Sequence, residues 1–250
     1  MRKYMREFVV PSFQTNQMGQ VTICALLQQM LEAAWAHACE MDWGYDDLKN
    51  HHLFWVLSRL YVEVDYFPLW QDKIMLETWS SGTDGIYAYR EFLLKDGQGK
   101  PFLRANTAWL ILNSNSRKLV LLRDQKATFP RLNTESPCRA PRRLRPGKYA
   151  QQGGFHPVCF SDLDVNKHFN SVRYVERTLD EFGIDFLGNC QVNTLEINFL
   201  KEGMPGDLLA VHFNFPEAGC LSQATVIRES DQANLITMEI EWKKRVRDGH

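Results

Sequence analysis

Asp164, Asn166 and His168 are the residues whose types and spacing suit chemistry. They stand two apart, and in an extended backbone alternate side chains share one side, so an acid, an amide and an imidazole are expected on one face. A helix is expected next, capped by Asn170 or Ser171, with Val172, Val175, Leu179 and Phe182 close to helical period and Gly183 as its stop. An imidazole beside a carboxylate at a helix start suits proton transfer, with backbone N–H groups near Phe169 and Asn170 for an oxyanion. The alternative is a polar loop in which the Asp and Asn side chains only make turn hydrogen bonds.

The elements that must position these residues follow from the rest of the chain. Its 250 residues are 44% apolar and 24% charged, enough for one large domain or two small ones around a true core. A net charge of -1 argues against general nucleic-acid binding. Cys24, Cys39, Cys138, Cys159, Cys190 and Cys220 are scattered, without a C-x-x-C pair or zinc spacing, and read as reduced thiols of a cytosolic protein. No secretory h-region and no run of about 18 apolar residues occurs, so neither export nor stable membrane insertion is expected. Gly-rich phosphate loops, metal-ligand clusters and a Gly-x-Ser-x-Gly elbow are also missing, which disfavours dehydrogenase, kinase and serine-hydrolase readings.

Phe8–Phe13 reads as a short strand. Thr22 caps a helix ending near Met41, whose Ile23, Leu26, Leu27, Met30, Leu31 and Ala34 form a wide apolar stripe. Strands follow at Trp55–Tyr66, Lys73–Trp79, Tyr87–Leu94 and Pro101–Leu112, with a hairpin turn at Asp96–Gly99. Thr128–Ala150 holds four prolines and six Arg or Lys residues and reads as a solvated linker, with a docking surface for an acidic partner as the alternative. The pattern then repeats: a strand over Phe155–Phe160, the polar stretch, a helix, and strands at Gln191–Leu200, Asp207–Phe215, Leu221–Arg228 and Leu235–Trp242. One constant interval lays Asn16 on Asp164, Met18 on Asn166 and Gln20 on His168, and a shorter interval lays Phe67 on Glu202. The first half therefore keeps the pattern but lacks the titratable set, and is expected to line an apolar pocket while the second does chemistry.

The run Asp162-Leu-Asp-Val-Asn-Lys-His-Phe-Asn170, followed by Tyr174, resembles the signature of acyl-acyl-carrier-protein thioesterases of the plant and bacterial type. Trp55–Asp65 with Pro68, Trp70 and Asp72, and Thr107–Asn113, are similar to the same family's N-terminal half. The resemblance runs from about Phe8 to about Trp242. It implies an α+β fold of two tandem hotdog domains, each a long helix wrapped by an antiparallel sheet; with the linker over 128–150 and the repeat, the domains are expected at residues 1–127, with the acyl-chain pocket, and 151–250, catalytic. It places the family's catalytic residues on Asp164, Asn166, His168 and Glu202. Plant members carry a Cys after this Glu; Gly203 stands there here, which excludes a cysteine nucleophile at that position and leaves attack by water.

The implied reaction is hydrolysis of fatty acyl-carrier-protein thioesters, with an acyl-CoA thioesterase or a non-catalytic acyl-binding protein as alternatives. The implied partner is an acyl carrier protein; a homodimer is also expected, but no cofactor, metal or nucleic acid. The family's plastid members carry a transit peptide that this sequence does not show, pointing to a bacterial cytoplasm. Met30 and Ala34 on the helix stripe are expected to set the depth of the acyl pocket.

Overall fold

The computed structural model describes residues 2–123, 129–216 and 221–245. It comprises two compact units, Met1–Pro141 and Arg142–His250. The first holds β1 (Tyr4–Val9), α1 (Ile23–Cys39), α2 (Tyr45–Asn50), β2 (Leu53–Val64), β3 (Lys73–Thr83), β4 (Ala88–Asp96), β5 (Pro101–Asn113) and β6 (Leu119–Val120). Its strands pair antiparallel in the order β1-β3-β4-β5-β2, with β6 on β5. The second holds β7 (Gln151–Pro157), α3 (Ser171–Asp180), α4 (Ile184–Asn189), β8 (Cys190–Phe199), β9 (Leu208–Phe213), β10 (Leu221–Arg228) and β11 (Ala233–Lys244). Here the order is β8-β11-β10-β9-β7, again antiparallel.

α1 forms where the apolar period predicts it. The Thr22 hydroxyl accepts from the Ala25 N–H at 3.1 Å and closes the first turn. Its inner stripe, Leu26, Leu27, Met30, Ala33 and Ala34, is buried, and the helix packs chiefly on β3. Met30 and Ala34 thus lie on the inner face. Two expected strands end early. Pro11 has no N–H to continue a ladder, so β1 stops at Val9 and residues 12–14 form a 3-10 turn. In the second unit β7 stops at Pro157, and Phe160–Asp162 form the matching 3-10 turn. α2 is an addition: six residues are too few to show a period. Gly183, expected as a helix stop, follows α3 at φ +78° and N-caps α4.

The basic segment is largely exposed, its six Arg and Lys residues included, but it is attached at defined points. In the first unit, Trp79, Glu91, Asn106 and Tyr61 stand in register across the sheet face opposite α1. The Ser136 hydroxyl donates to Glu91 at 2.7 Å, and the Arg139 guanidinium lies 3.5 Å from the Tyr61 ring centroid. Burial pushes the nearby Cys138 thiol up to about 12, with Glu91 adding to the effect, so it is a poor nucleophile. In the second unit the Arg142 guanidinium bonds Glu196 at 2.7 Å and Glu239 at 2.9 Å, Leu144 N–H donates to Asn198 at 2.8 Å, and Leu144 is buried. The prolines give the segment an extended path, and polar strand residues give it partners. Thr128, at the expected linker start, and Cys220 lie outside the described residues; the other five cysteines are free thiols.

One buried cluster makes the first unit's stability depend on pH. His37 on α1 receives a hydrogen bond from Arg90 through Nδ1 at 2.9 Å and stacks on Tyr4. Burial, then the Arg90 charge, lowers its pKa to about 4. Because the folded pKa lies below the unfolded one of about 6.5, protonation favours the unfolded chain. The contribution is complete above about pH 6.5 and is lost as pH falls toward 4. The loss is expected to reach about 2–3 kcal/mol. His37→Gln keeps an acceptor for Arg90 without titrating, so urea titrations from pH 4 to 6.5 should show a flatter slope than the parent. Equal slopes would contradict this assignment.

Candidate active site

The Asp-x-Asn-x-His run is a turn and not an extended strand. Leu163 and Phe169 pair as an isolated bridge, and the chain reverses between them. Asp164 N–H donates to the His168 carbonyl at 2.9 Å, and Lys167 N–H to the Asp164 carbonyl at 3.0 Å. Asp164 Oδ1 accepts from the backbone N–H groups of Asn166 and His168 at 2.8 and 3.0 Å. A short carboxylate that competes for amides two and four residues on folds the backbone over itself, and Lys167 takes φ +64° to close the turn. The expected shared strand face is therefore absent, and the turn-forming role weighed for Asp164 is real.

The turn nevertheless assembles reactive groups. His168 Nδ1 lies 3.4 Å from Glu202 Oε1, with the side chains 18% and 28% exposed. Asp164 Oδ2 and the exposed Asn166 amide make no hydrogen bond among the described residues. The N–H groups expected to face an oxyanion are already used: Phe169 donates to the Gly203 carbonyl at 2.8 Å and Asn170 to that of Asp162 at 2.9 Å. Asn170 caps α3 by accepting from Val172 N–H at 2.9 Å. The Asn166 side chain is then a donor left at the site.

Glu202 sits in the loop after β8. Its carbonyl accepts from Arg228 Nη1 at 3.4 Å. Arg228 is held in turn by Asp207 at 3.1 Å and by both oxygens of Asp231 at 3.0 Å, which keep its pKa above the usual guanidinium range. Asp162 is buried, accepts from Cys159 N–H at 3.0 Å and meets Arg177 at 3.4 Å. Asp162 opens the Asp162–Asn170 run, but its contacts with Cys159 and Arg177 were not legible there, and the position of Arg228 carries no motif because it acts on residues distant in sequence.

The first unit repeats this skeleton without the reactive groups. Asn16 Oδ1 accepts from Met18 and Gln20 N–H at 2.9 and 3.1 Å, Asn16 N–H donates to the Gln20 carbonyl at 2.8 Å, and Gly19 takes φ +71°. Val21 N–H donates to the Pro68 carbonyl at 2.8 Å, as Phe169 does to Gly203. An asparagine can therefore build this turn. Asp164→Asn should keep the fold within about 0.5 kcal/mol while placing an NH2 donor where Oδ2 was an acceptor. Turnover is expected to fall about a hundredfold in Asp164→Asn and in Asp164→Ala alike. Parent-like turnover of the Asn variant would assign Asp164 to the turn alone.

The model of the acyl-ACP thioesterase N-terminal domain matches residues 1–127, and that of the C-terminal domain residues 148–244. The chain belongs to the acyl-ACP thioesterase family. Among curated members of that family, oleoyl-acyl carrier protein thioesterase 2 of Arabidopsis thaliana is 24% identical over 82% of this chain. A dodecanoyl-[acyl-carrier-protein] hydrolase of Cinnamomum camphora is 23% identical over 98% of it. The matched region spans 61% of the Arabidopsis protein's length. An acyl-ACP thioesterase structure from Bacteroides thetaiotaomicron superposes with a TM-score of 0.88 at 25% identity, covering 96% of this chain and 98% of that one. The 12:0-ACP thioesterase of Umbellularia californica gives 0.85 at 19% identity, covering 97% and 98%. Both units are hotdog folds of this family. Among the described residues no helix is long and apolar enough to cross a membrane.

Proposed function

We propose that the protein hydrolyses the thioester of a fatty acyl-acyl carrier protein by water attack at the turn of the second unit. The observation that carries this reading is the His168–Glu202 contact, set beside the Asp164 and Asn166 side chains and supported by family membership. Glu202 facing Nδ1 fixes the ring with its proton there and leaves Nε2 as the basic nitrogen. Nε2 takes a proton from water as its oxygen bonds to the acyl carbon, and Asn166 donates to the oxygen that becomes negative. Collapse of the tetrahedral species breaks the C–S bond, and the imidazolium returns the proton to the thiolate. The products are a fatty acid and the free carrier thiol.

No cysteine is needed. A variant with all cysteines replaced by Ser or Ala is expected to keep substantial turnover; an acyl group trapped on a cysteine would overturn direct attack by water. The first unit, which has the skeleton without the titratable groups, takes the acyl tail, with Met30 and Ala34 on α1 setting its depth. Bulky substitution there shifts the preferred chain length moderately, since a methylene is worth about 1–3 kcal/mol in a hydrophobic site. The five free thiols fit a reducing cytoplasm. The deciding experiment is thiol release from a chain-length series of acyl groups, each on carrier protein and on CoA. Preference for the carrier supports this reading, higher rates on CoA favour the acyl-CoA alternative, and no release from either refutes both.

A further inference from the structure

We infer that Tyr174 is a positioning residue for Glu202, an inference that rests on the reading of His168 and Glu202 as the reacting pair. Tyr174 lies in the first turn of α3 and is buried. Its hydroxyl oxygen accepts from Gly203 N–H at 3.0 Å. That N–H and the Glu202 carbonyl are the two ends of one peptide group, and the carbonyl end is bound by Arg228. The peptide after Glu202 is thus fixed at both ends. The next link closes on the histidine: Phe169 N–H donates to the Gly203 carbonyl at 2.8 Å, and the Phe169 ring meets that of Tyr174 edge-on at 4.6 Å. The residues following His168 and Glu202 are therefore tied together, with Tyr174 packed on both.

Gly203 is required by this arrangement. A Cβ there would stand 2.9 Å from Phe169 Cβ and 2.9 Å from the Tyr174 hydroxyl. The residue after Glu202 has no side chain because the tyrosine hydroxyl occupies that space.

The chain contains its own comparison. In the first unit the same turn is built without His or Glu, and there the Tyr174 position is Leu26 and the Gly203 position is Pro68. Leu26 has no hydroxyl and Pro68 has no N–H to donate. The shared backbone bond, from Val21 N–H to the Pro68 carbonyl, survives. The turn and the hairpin contact therefore form without a tyrosine. What the tyrosine–glycine pair adds is confined to the half in which a glutamate must be aimed, and burying a hydroxyl in a helix core needs such a partner.

The test is a double-mutant cycle with a structural arm. Tyr174→Phe keeps the ring and removes the acceptor. It is expected to lower kcat about tenfold with KM within about twofold, because a reacting group is misplaced and acyl binding is not. In a Glu202→Gln background the same change should lower kcat no further, since its effect passes through Glu202. An equal loss in both backgrounds would overturn the inference. Crystal structures of parent and variant supply the arm that needs no substrate: the His168–Glu202 contact should open beyond 3.4 Å. An unchanged contact would overturn the positioning role even if the hydrolase reading stands. If the parent releases no thiol from any acyl thioester, the hydrolase reading fails and the crystallographic arm still decides the role of Tyr174. Tyr174→Leu, which installs the first unit's residue, is the second variant. Failure of both variants to fold would make Tyr174 a core residue and nothing more.

Discussion

His168→Ala is expected to lower turnover of an acyl thioester at least about a hundredfold with the fold intact, and Glu202→Gln by a similar factor. His168 is half-buried at the end of a turn whose backbone bonds use its N–H and carbonyl, so removing the ring leaves the turn in place. Glu202 faces the ring from a separate loop, and the glutamine keeps its size and loses its charge. If the two act as a unit, the double variant should be no slower than the slower single. Near-parent turnover in either folded single variant would remove the site from this turn. Circular dichroism and urea midpoints close to the parent's would show that the loss is chemical.

Arg142→Ala is expected to be the most destabilising of the surface substitutions. Glu196 and Glu239 are direct register partners on β8 and β11, two like charges facing each other. Glu196 is only 3% exposed, and Arg142 bridges both carboxylates. Without the guanidinium a buried carboxylate loses this ion pair and faces a like charge, while the N–H of residue 142 still donates to it. Arg142 is itself more than half exposed, so the cost is put below that of a fully buried pair, at about 2–4 kcal/mol. Urea unfolding at pH 7 measures it. Glu196→Gln should restore much of the loss in the Arg142→Ala background, and a loss below about 0.5 kcal/mol would show that the bridge carries no stability.

α1 and the long strands were legible because they bury one face, and burial imposes a period on the residues that form it. Thr22 and Asn170 were legible as caps because a cap is local. The reactive turn was legible as composition and misread as geometry. A two-residue spacing is shared by strands and by turns in which an aspartate captures amides downstream, and only the φ of Lys167 separates the two. Arg142 and Glu196 were not legible as a pair, since nothing near either residue names the other. The same holds for Tyr174 and Gly203, which are separated by the rest of α3 and by α4 and β8.

The duplicated turn also bears on how this gene can vary. Asn16, Gly19 and Val21 hold the backbone of the first copy, so selection there is expected to act on shape; Met18 is exposed and open to drift, whereas Phe67 is buried and held by packing. On the proposed mechanism the corresponding Asn166, His168 and Glu202 have no such latitude. A saturation library read out by growth or by product should therefore be lopsided: tolerant at Met18 in the first copy and intolerant at Asn166 in the second, with Asn16 and Asp164 both constrained in a screen for folding. On that mechanism the chain holds a second copy of its reaction-site framework with the reactive groups left out, a ready place to rebuild or invent a second activity without first inventing a backbone.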